Sequence, residues 1–243
     1  MNSTATLEPP TKSKSTTIYE IEPITASPEE IYDIELEHSL LEANNVLAVK
    51  NRALLDREGV TAFDFMGAIG SGKTTLINCL VGKLKNHFGV AVFNGDATTS
   101  NDADQIIKQG VPVVQIATVN GCHLDANLVG KALDKIDLKQ LKLIFIENIG
   151  NLICPAEFPL GSKARVVVVS VTEGPWMVRK HPHMFLGAEV VVINKTDLAK
   201  AMDVSVEALI NDVHSLKPSI KVIPTSCKTG EGVDQVVEAL LAL

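Results

Sequence analysis

The chain is 243 residues long, 46% hydrophobic and 21% charged, with a formal net charge of −7. That suits one globular domain of ordinary core size, alone or with a tail, and the acidity speaks against broad binding to nucleic acid or to an anionic membrane. No run of about 18 uncharged apolar residues offers a membrane span, and four cysteines are too few for a disulfide framework, which leaves thiols or metal ligands.

Residues 1–26 are rich in Ser, Thr and Pro without apolar periodicity, and read as a flexible tail rather than a secretory signal; the expected location is the cytoplasm. Residues 1–58 carry eleven acids against five bases, so most of the net charge lies here. Ser27-Pro28-Glu29-Glu30 reads as a helix cap with proline at the first helical position. Ile31, Ile34, Leu41, Val46, Val49 and Leu54 then recur at helical spacing, predicting an amphipathic helix over 27–59 that stops at Gly59.

From residue 60 to the end, short β-rich runs alternate with helix-like stretches. Strands are expected at 62–66, 90–93, 112–116, 143–147, 165–171, 190–193 and 222–224, and helices at 74–88, 124–133, 204–216 and 233–241. Runs such as Val166-Val167-Val168-Val169 are apolar on both faces, as a strand covered on both sides requires. The expectation is an α/β three-layer fold with a mostly parallel sheet of about seven strands, preceded by the N-terminal helix.

The first strand runs into Gly67-Ala68-Ile69-Gly70-Ser71-Gly72-Lys73-Thr74, followed by Thr75 and a helix. This fits the phosphate-loop pattern in its required strand-to-helix context. Its N–H groups can point inward at phosphate oxygens, Lys73 can reach the terminal phosphates and the Thr74 hydroxyl can ligate Mg²⁺. The Mg²⁺ ion and the hydrolytic water need carboxylates at strand tips, and two candidates follow strands: Asp96, after Asn94-Gly95, and Glu147, at the end of Leu143-Ile144-Phe145-Ile146.

Cys122-His123 follows a strand and a turn, and Cys154 lies on the segment leaving the next strand. Two thiols and an imidazole suit Zn²⁺ or Ni²⁺, but three ligands need a water or a second subunit to close a four-coordinate site. Buried Cys and loop His without a metal are the alternative. Cys79 lies inside the helix after the phosphate loop and reads as core; His181-Pro182-His183 reads as an exposed turn.

Near the end of the chain, Asn194-Lys195-Thr196-Asp197 follows an apolar strand. An Asp carboxylate there can accept from both N1–H and the exocyclic amine of guanine, a donor pair adenine lacks. Lys195 can lay its stem over the base, and Thr225-Ser226-Cys227-Lys228 resembles a second guanine-contacting loop.

These motifs together resemble the HypB family of hydrogenase nickel-incorporation GTPases, in an archaeal style. The resemblance spans about residues 30–243 and is carried by Phe63 to Thr75, Cys122-His123-Leu124-Asp125-Ala126, Glu147 to Pro155, Thr172-Glu173-Gly174, Lys180-His181-Pro182 and Ile193 to Leu198. It implies a SIMIBI-class GTPase that hydrolyses GTP during nickel delivery to [NiFe]-hydrogenase. It also implies a nucleotide- and metal-promoted homodimer with Cys122, His123 and Cys154 holding Ni²⁺ or Zn²⁺ at its interface. The implied partners are the nickel metallochaperone HypA and the hydrogenase large subunit. The chain departs from some members in having no Cys before Cys79 and only His38 in residues 1–60, so a nickel-storage segment is not expected. Gln105, Val119 and Pro175-Trp176 also depart from the usual pattern.

Two other readings stay open. A urease-type nickel GTPase shares the nucleotide motifs but carries a Cys-Pro-His metal tripeptide, whereas Cys154-Pro155 is followed here by Ala156. A metal-buffering dimer would use GTP only as a conformational ligand.

Overall fold

The computed structural model describes residues 28–95, 106–116 and 122–243. The expected tail over 1–26 and the Ser27 cap lie outside the described residues, as do Gln105 and Val119. The chain divides into two units, Met1–Glu37 and His38–Leu243. The described part of the first is helical backbone at the start of α1 (Pro28–Glu58).

The second unit holds a seven-stranded, wholly parallel sheet in the order β3-β2-β4-β1-β5-β6-β7. The strands are β1 (Thr61–Met66), β2 (Val90–Asn94), β3 (Val113–Gln115), β4 (Leu143–Glu147), β5 (Ala164–Ser170), β6 (Val190–Asn194) and β7 (Lys221–Pro224). The main helices of this unit are α2 (Lys73–Leu84), α3 (Ala126–Leu133), α7 (Val206–Leu216) and α8 (Val233–Leu241). Between them lie three one-turn helices, α4 (Cys154–Glu157), α5 (Met177–Lys180) and α6 (Pro182–Leu186). The expected α/β three-layer architecture is therefore present.

Alternation along the strands sorts the core onto two faces. Phe63, Phe65, Phe145, Val166, Val168 and Val192 pack with Leu76 and Leu80 of α2 and Val236 and Leu240 of α8. On the other face, Ala62, Ile144 and Ile146 meet Leu55 of α1 and Val129 and Leu133 of α3. Val167, Val169, Val191 and Ile193 meet Val178, Phe185, Leu209 and Val213. Each fully buried large side chain contributes about 1.5–3 kcal/mol relative to exposure, so these clusters dominate the stability.

The sequence places the strands to within about two residues, but the apolar stripe it assigns to α1 is buried only in part: Leu41 and Leu54 are half-buried, and the side chains of Ile31 and Ile34 lie outside the described residues. Val46 and Val49 are 57% and 69% exposed, whereas Asn44, Ala48, Asn51 and Leu55 are buried. The reason is hydrogen bonding. Asn51 Nδ2 donates to the carbonyls of Ala126 (2.7 Å) and Leu160 (3.1 Å). Asn44 Nδ2 donates to the Pro159 carbonyl (2.9 Å), and its Oδ1 accepts from Ala126 N–H (2.8 Å). The carbonyls of Pro159 and Leu160 and the Ala126 N–H at the start of α3 are backbone groups that no helix or sheet would pair. Both amides grip Ala126, the first residue of α3, and so fix the segment that follows Cys122-His123.

Helix starts shift for the same kind of reason. α3 begins at Ala126 rather than 124 because Asp125 caps it, accepting from Leu128 N–H at 2.8 Å, and α7 begins after Ser205, which accepts from Ala208 N–H. α2 stops at Leu84 instead of reaching 88, its Leu84 carbonyl accepting from both His87 and Phe88 N–H. His181 and His183 do not form a plain turn: Pro182 opens α6, with His181 at its cap position and His183 in its first turn.

Candidate nucleotide and metal site

β1 lies between β4 and β5 although β2 and β3 intervene in sequence, so the chain reverses its direction of sheet growth at β1. Such a switch point leaves a crevice at the carboxyl ends of the strands, and the phosphate loop leaves β1 there. Within that loop Lys73 is buried and its Nζ donates to the carbonyls of Gly67 (3.2 Å) and Ala68 (3.1 Å), which centres the ammonium in the loop. Gly72 has φ 96°, and a Cβ there would sit 2.3 Å from Asn194 Nδ2, so only glycine fits.

Thr74, in the first turn of α2, donates its hydroxyl to Glu147 Oε1 at 2.5 Å. The structure thus brings together Lys73, Thr74 and Glu147; Asp96, the other expected carboxylate, lies outside the described residues. Sequence reasoning gave no role to Glu173, which follows β5 as Glu147 ends β4. Burial pushes its carboxyl up from the ordinary value, against the Ser170 N–H bond and the charges of Lys73 and Lys195. An acid after an apolar strand was the available cue.

The base-loop residues latch onto the phosphate loop. Asn194 Nδ2 donates to the Ser71 carbonyl (3.0 Å), and Asn194 Oδ1 accepts from Lys195 N–H (2.8 Å) and Cys227 N–H (3.4 Å). Lys195, in the left-handed region at φ 61°, sends Nζ to the Gly70 carbonyl (2.6 Å). Ser226 Oγ donates to Asp197 Oδ1 (2.7 Å), orienting an exposed carboxylate, and Lys228, two residues after Ser226, is exposed. Cys227 packs on the core with Cys79, whose Sγ donates to the Cys227 carbonyl at 3.9 Å.

Cys122, His123 and Cys154 come together with their ligand atoms all within 4.8 Å of one another, the one such cluster among the described residues. Cys122 Sγ lies 3.4 Å from His123 Nδ1. The His123 ring stacks on Phe158 with centroids 3.8 Å apart. Burial pushes the His123 pKa down against Asp125 and Glu157, favouring the neutral imidazole that binds metal. The neighbouring Cys154 thiol, followed by burial, pushes Cys122 up. His181 and His183 stand apart from this cluster, lining a cavity with Leu152, Ile153 and Lys180.

Buried beneath the cluster's loops is a network that sequence reasoning missed. Asn148 Nδ2 donates to Asp64 Oδ1 (3.1 Å), while Asn148 Oδ1 accepts from Leu124 and Ile149 N–H (3.0 Å each). Desolvation raises the Asp64 carboxyl from 3.8 to about 6, opposed by Arg165 and the Asn148 bond. A polar residue inside a core strand, as Asp64 is, or just past the end of one, as Asn148 is, leaves no periodic signal, so neither partner was visible in the sequence.

A parallel sheet with a phosphate loop at its switch point defines a P-loop nucleotide-binding domain. Residues 62–224 match the family model for the CobW/HypB/UreG nucleotide-binding domain. The chain is 47% identical over 205 residues to the probable hydrogenase maturation factor HypB of Methanocaldococcus jannaschii, covering 84% of this chain and 93% of that one. The crystal structure of HypB from Archaeoglobus fulgidus superposes with a TM-score of 0.79 at 40% identity, over 83% of this chain and 98% of the other. HypB from Helicobacter pylori in complex with nickel gives 0.77 at 34% identity, over 82% and 94%. The chain belongs to the hydrogenase maturation factor HypB family.

Proposed function

We propose that this protein is a GTPase metallochaperone that binds nickel, or zinc in its place, and assists nickel insertion into [NiFe]-hydrogenase. The observation that carries this reading is the Cys122–His123–Cys154 cluster on loops that adjoin a phosphate loop. A similar protein, HypB from Helicobacter pylori, has been solved in complex with nickel.

In this reading Gly67 to Thr75 cradle the phosphates, with Lys73 neutralising the terminal ones. Asp197, held by Ser226, accepts from guanine; Asn194 ties the base loop to the phosphate loop, and Lys195 and the Ser226–Lys228 turn flank the base. Mg²⁺ would be held by Thr74 with Asp96 and Glu147, and would neutralise charge on the departing phosphate. Glu147, one bond from Thr74, orients the attacking water. Nickel is cargo. Two thiols and one imidazole leave its coordination incomplete, and a two-fold-related second subunit completes it. The working unit is a homodimer in the cytoplasm, receiving nickel from HypA and acting on the hydrogenase large subunit.

Steady-state GTP turnover tests the nucleotide half. The parent hydrolyses GTP, and Lys73→Ala abolishes binding or turnover while keeping the parent's circular dichroism. Turnover at the parent rate in that variant would refute the phosphate-loop assignment.

A further inference from the structure

Asn151 touches the phosphate loop and both thiol loops at once. Its backbone forms an isolated antiparallel bridge with Gly67, where the phosphate loop leaves β1. Its side-chain Nδ2 donates to the Cys122 carbonyl at 3.2 Å. Its Oδ1 accepts from Ile153 N–H at 2.9 Å, one residue before Cys154. The preceding Gly150 lies so close under Ile69 of the phosphate loop that a Cβ there would sit 2.4 Å from Ile69 Cγ1. The far side of the Cys122 loop is anchored differently, through the buried Asn148 that receives Leu124 N–H.

We infer that Asn151 is the positioning residue through which the phosphate loop sets the spacing of the two thiols. The inference rests on the metal-binding reading above. A rearrangement of the backbone at residues 67–70 on binding a terminal phosphate moves Asn151 through the bridge. Its amide then carries the Cys122 carbonyl and the Ile153 N–H together, while Asn148 keeps Leu124 in place. Metal–ligand distances tolerate about ±0.2 Å, so a small displacement of one thiol changes affinity. Asn151 itself belongs to neither the base motif nor the thiol cluster, and it acts only through its neighbours.

Two variants separate this tie from a merely structural turn. Asn151→Asp keeps an acceptor for Ile153 N–H but has no donor for the Cys122 carbonyl; Asn151→Ala loses both. The experiment titrates Ni²⁺ into the full chain loaded with GDP or with a slowly hydrolysed GTP analogue. It is followed by calorimetry and by thiolate-to-nickel charge-transfer absorption, with thermal unfolding alongside. The parent's nickel affinity differs between the two nucleotide states by about 5- to 150-fold, the usual range of coupling between sites. In both variants that ratio falls to within about twofold and the two absorption spectra merge, while guanine nucleotide affinity and the unfolding temperature stay near the parent's. A parent ratio retained in Asn151→Asp and Asn151→Ala overturns the inference, and so does a parent ratio of one. A parent that binds no nickel overturns the metal-binding reading beneath it.

Discussion

The Thr74 hydroxyl donates to the Glu147 carboxylate at 2.5 Å, joining the first turn of α2 to the tip of β4. Thr74 sits in the first turn of α2 and Glu147 on a strand buried on both faces, so the bond ties helix to sheet at the mouth of the crevice. Glu147 also begins the segment that reaches Asn151 and Cys154. A change at the Thr74–Glu147 contact is thus seven residues from a thiol.

Glu147→Gln keeps the size and an acceptor for Thr74 but removes the charge. GTP turnover should fall on the order of 10²- to 10⁴-fold, the usual contribution of a positioned acid or base. GDP affinity should stay within a few fold, because no base-loop contact changes. Single-turnover hydrolysis with a parallel GDP titration checks this; an unchanged rate would remove Glu147 from the reaction.

Base choice rests on Asp197. Asp197→Asn replaces an acceptor pair with a mixed donor and acceptor, leaving guanine facing an unmatched donor. A buried unmatched polar group costs about 1–3 kcal/mol, or roughly 5- to 150-fold in affinity. GTP should weaken by that factor and XTP, with oxygen at the matching position, should gain. Competitive titration of both nucleotides against both proteins decides it, and a GTP preference equal to the parent's would count against the guanine assignment.

Asp64 gives the stability a pH signature. Its folded pKa, about 6, lies above the ordinary 3.8, so the folded state holds the proton more tightly than the unfolded one. Its protonated form is fully stabilising below pH 3.8, and that stability is lost as pH rises through 6. Two pKa units correspond to about 3 kcal/mol. Relative to the parent, Asp64→Asn should therefore gain up to about 3 kcal/mol between pH 4 and pH 7. Urea unfolding of both proteins across that range is the measurement, and a difference flat with pH would show that Asp64 does not titrate in the fold.

The phosphate loop, the sheet and the base loop were legible because each has a local signature: a spaced glycine pattern, an unbroken apolar run, an Asn-Lys-x-Asp at a strand end. Cys122, His123 and Cys154 were legible as types, though only folding shows their ligand atoms within 4.8 Å. The framework between these parts was not legible. Asn44, Asn51, Asn148 and Asn151 do that work by pairing backbone groups that secondary structure leaves open. An asparagine in a sequence reads as surface or turn, and what it bonds to is settled by residues about 25 to 115 positions away. The same reason misplaced part of the buried face of α1, where Asn44 and Asn51 sit inside and Val46 and Val49 outside. The one-turn helices α4, α5 and α6 are too short to show a period.

The measurement that bears most directly on the account is Ni²⁺ binding by equilibrium dialysis, with sedimentation velocity on the same samples. It compares the parent with Cys154→Ala in the GDP state and with a slowly hydrolysed GTP analogue. The parent should bind about one nickel per dimer, shift toward dimer on metal binding and show an affinity that depends on the nucleotide. Cys154→Ala should lose that ion with guanine nucleotide affinity unchanged. Nickel bound equally by both proteins, to monomer as well as dimer and in both nucleotide states, would contradict the account.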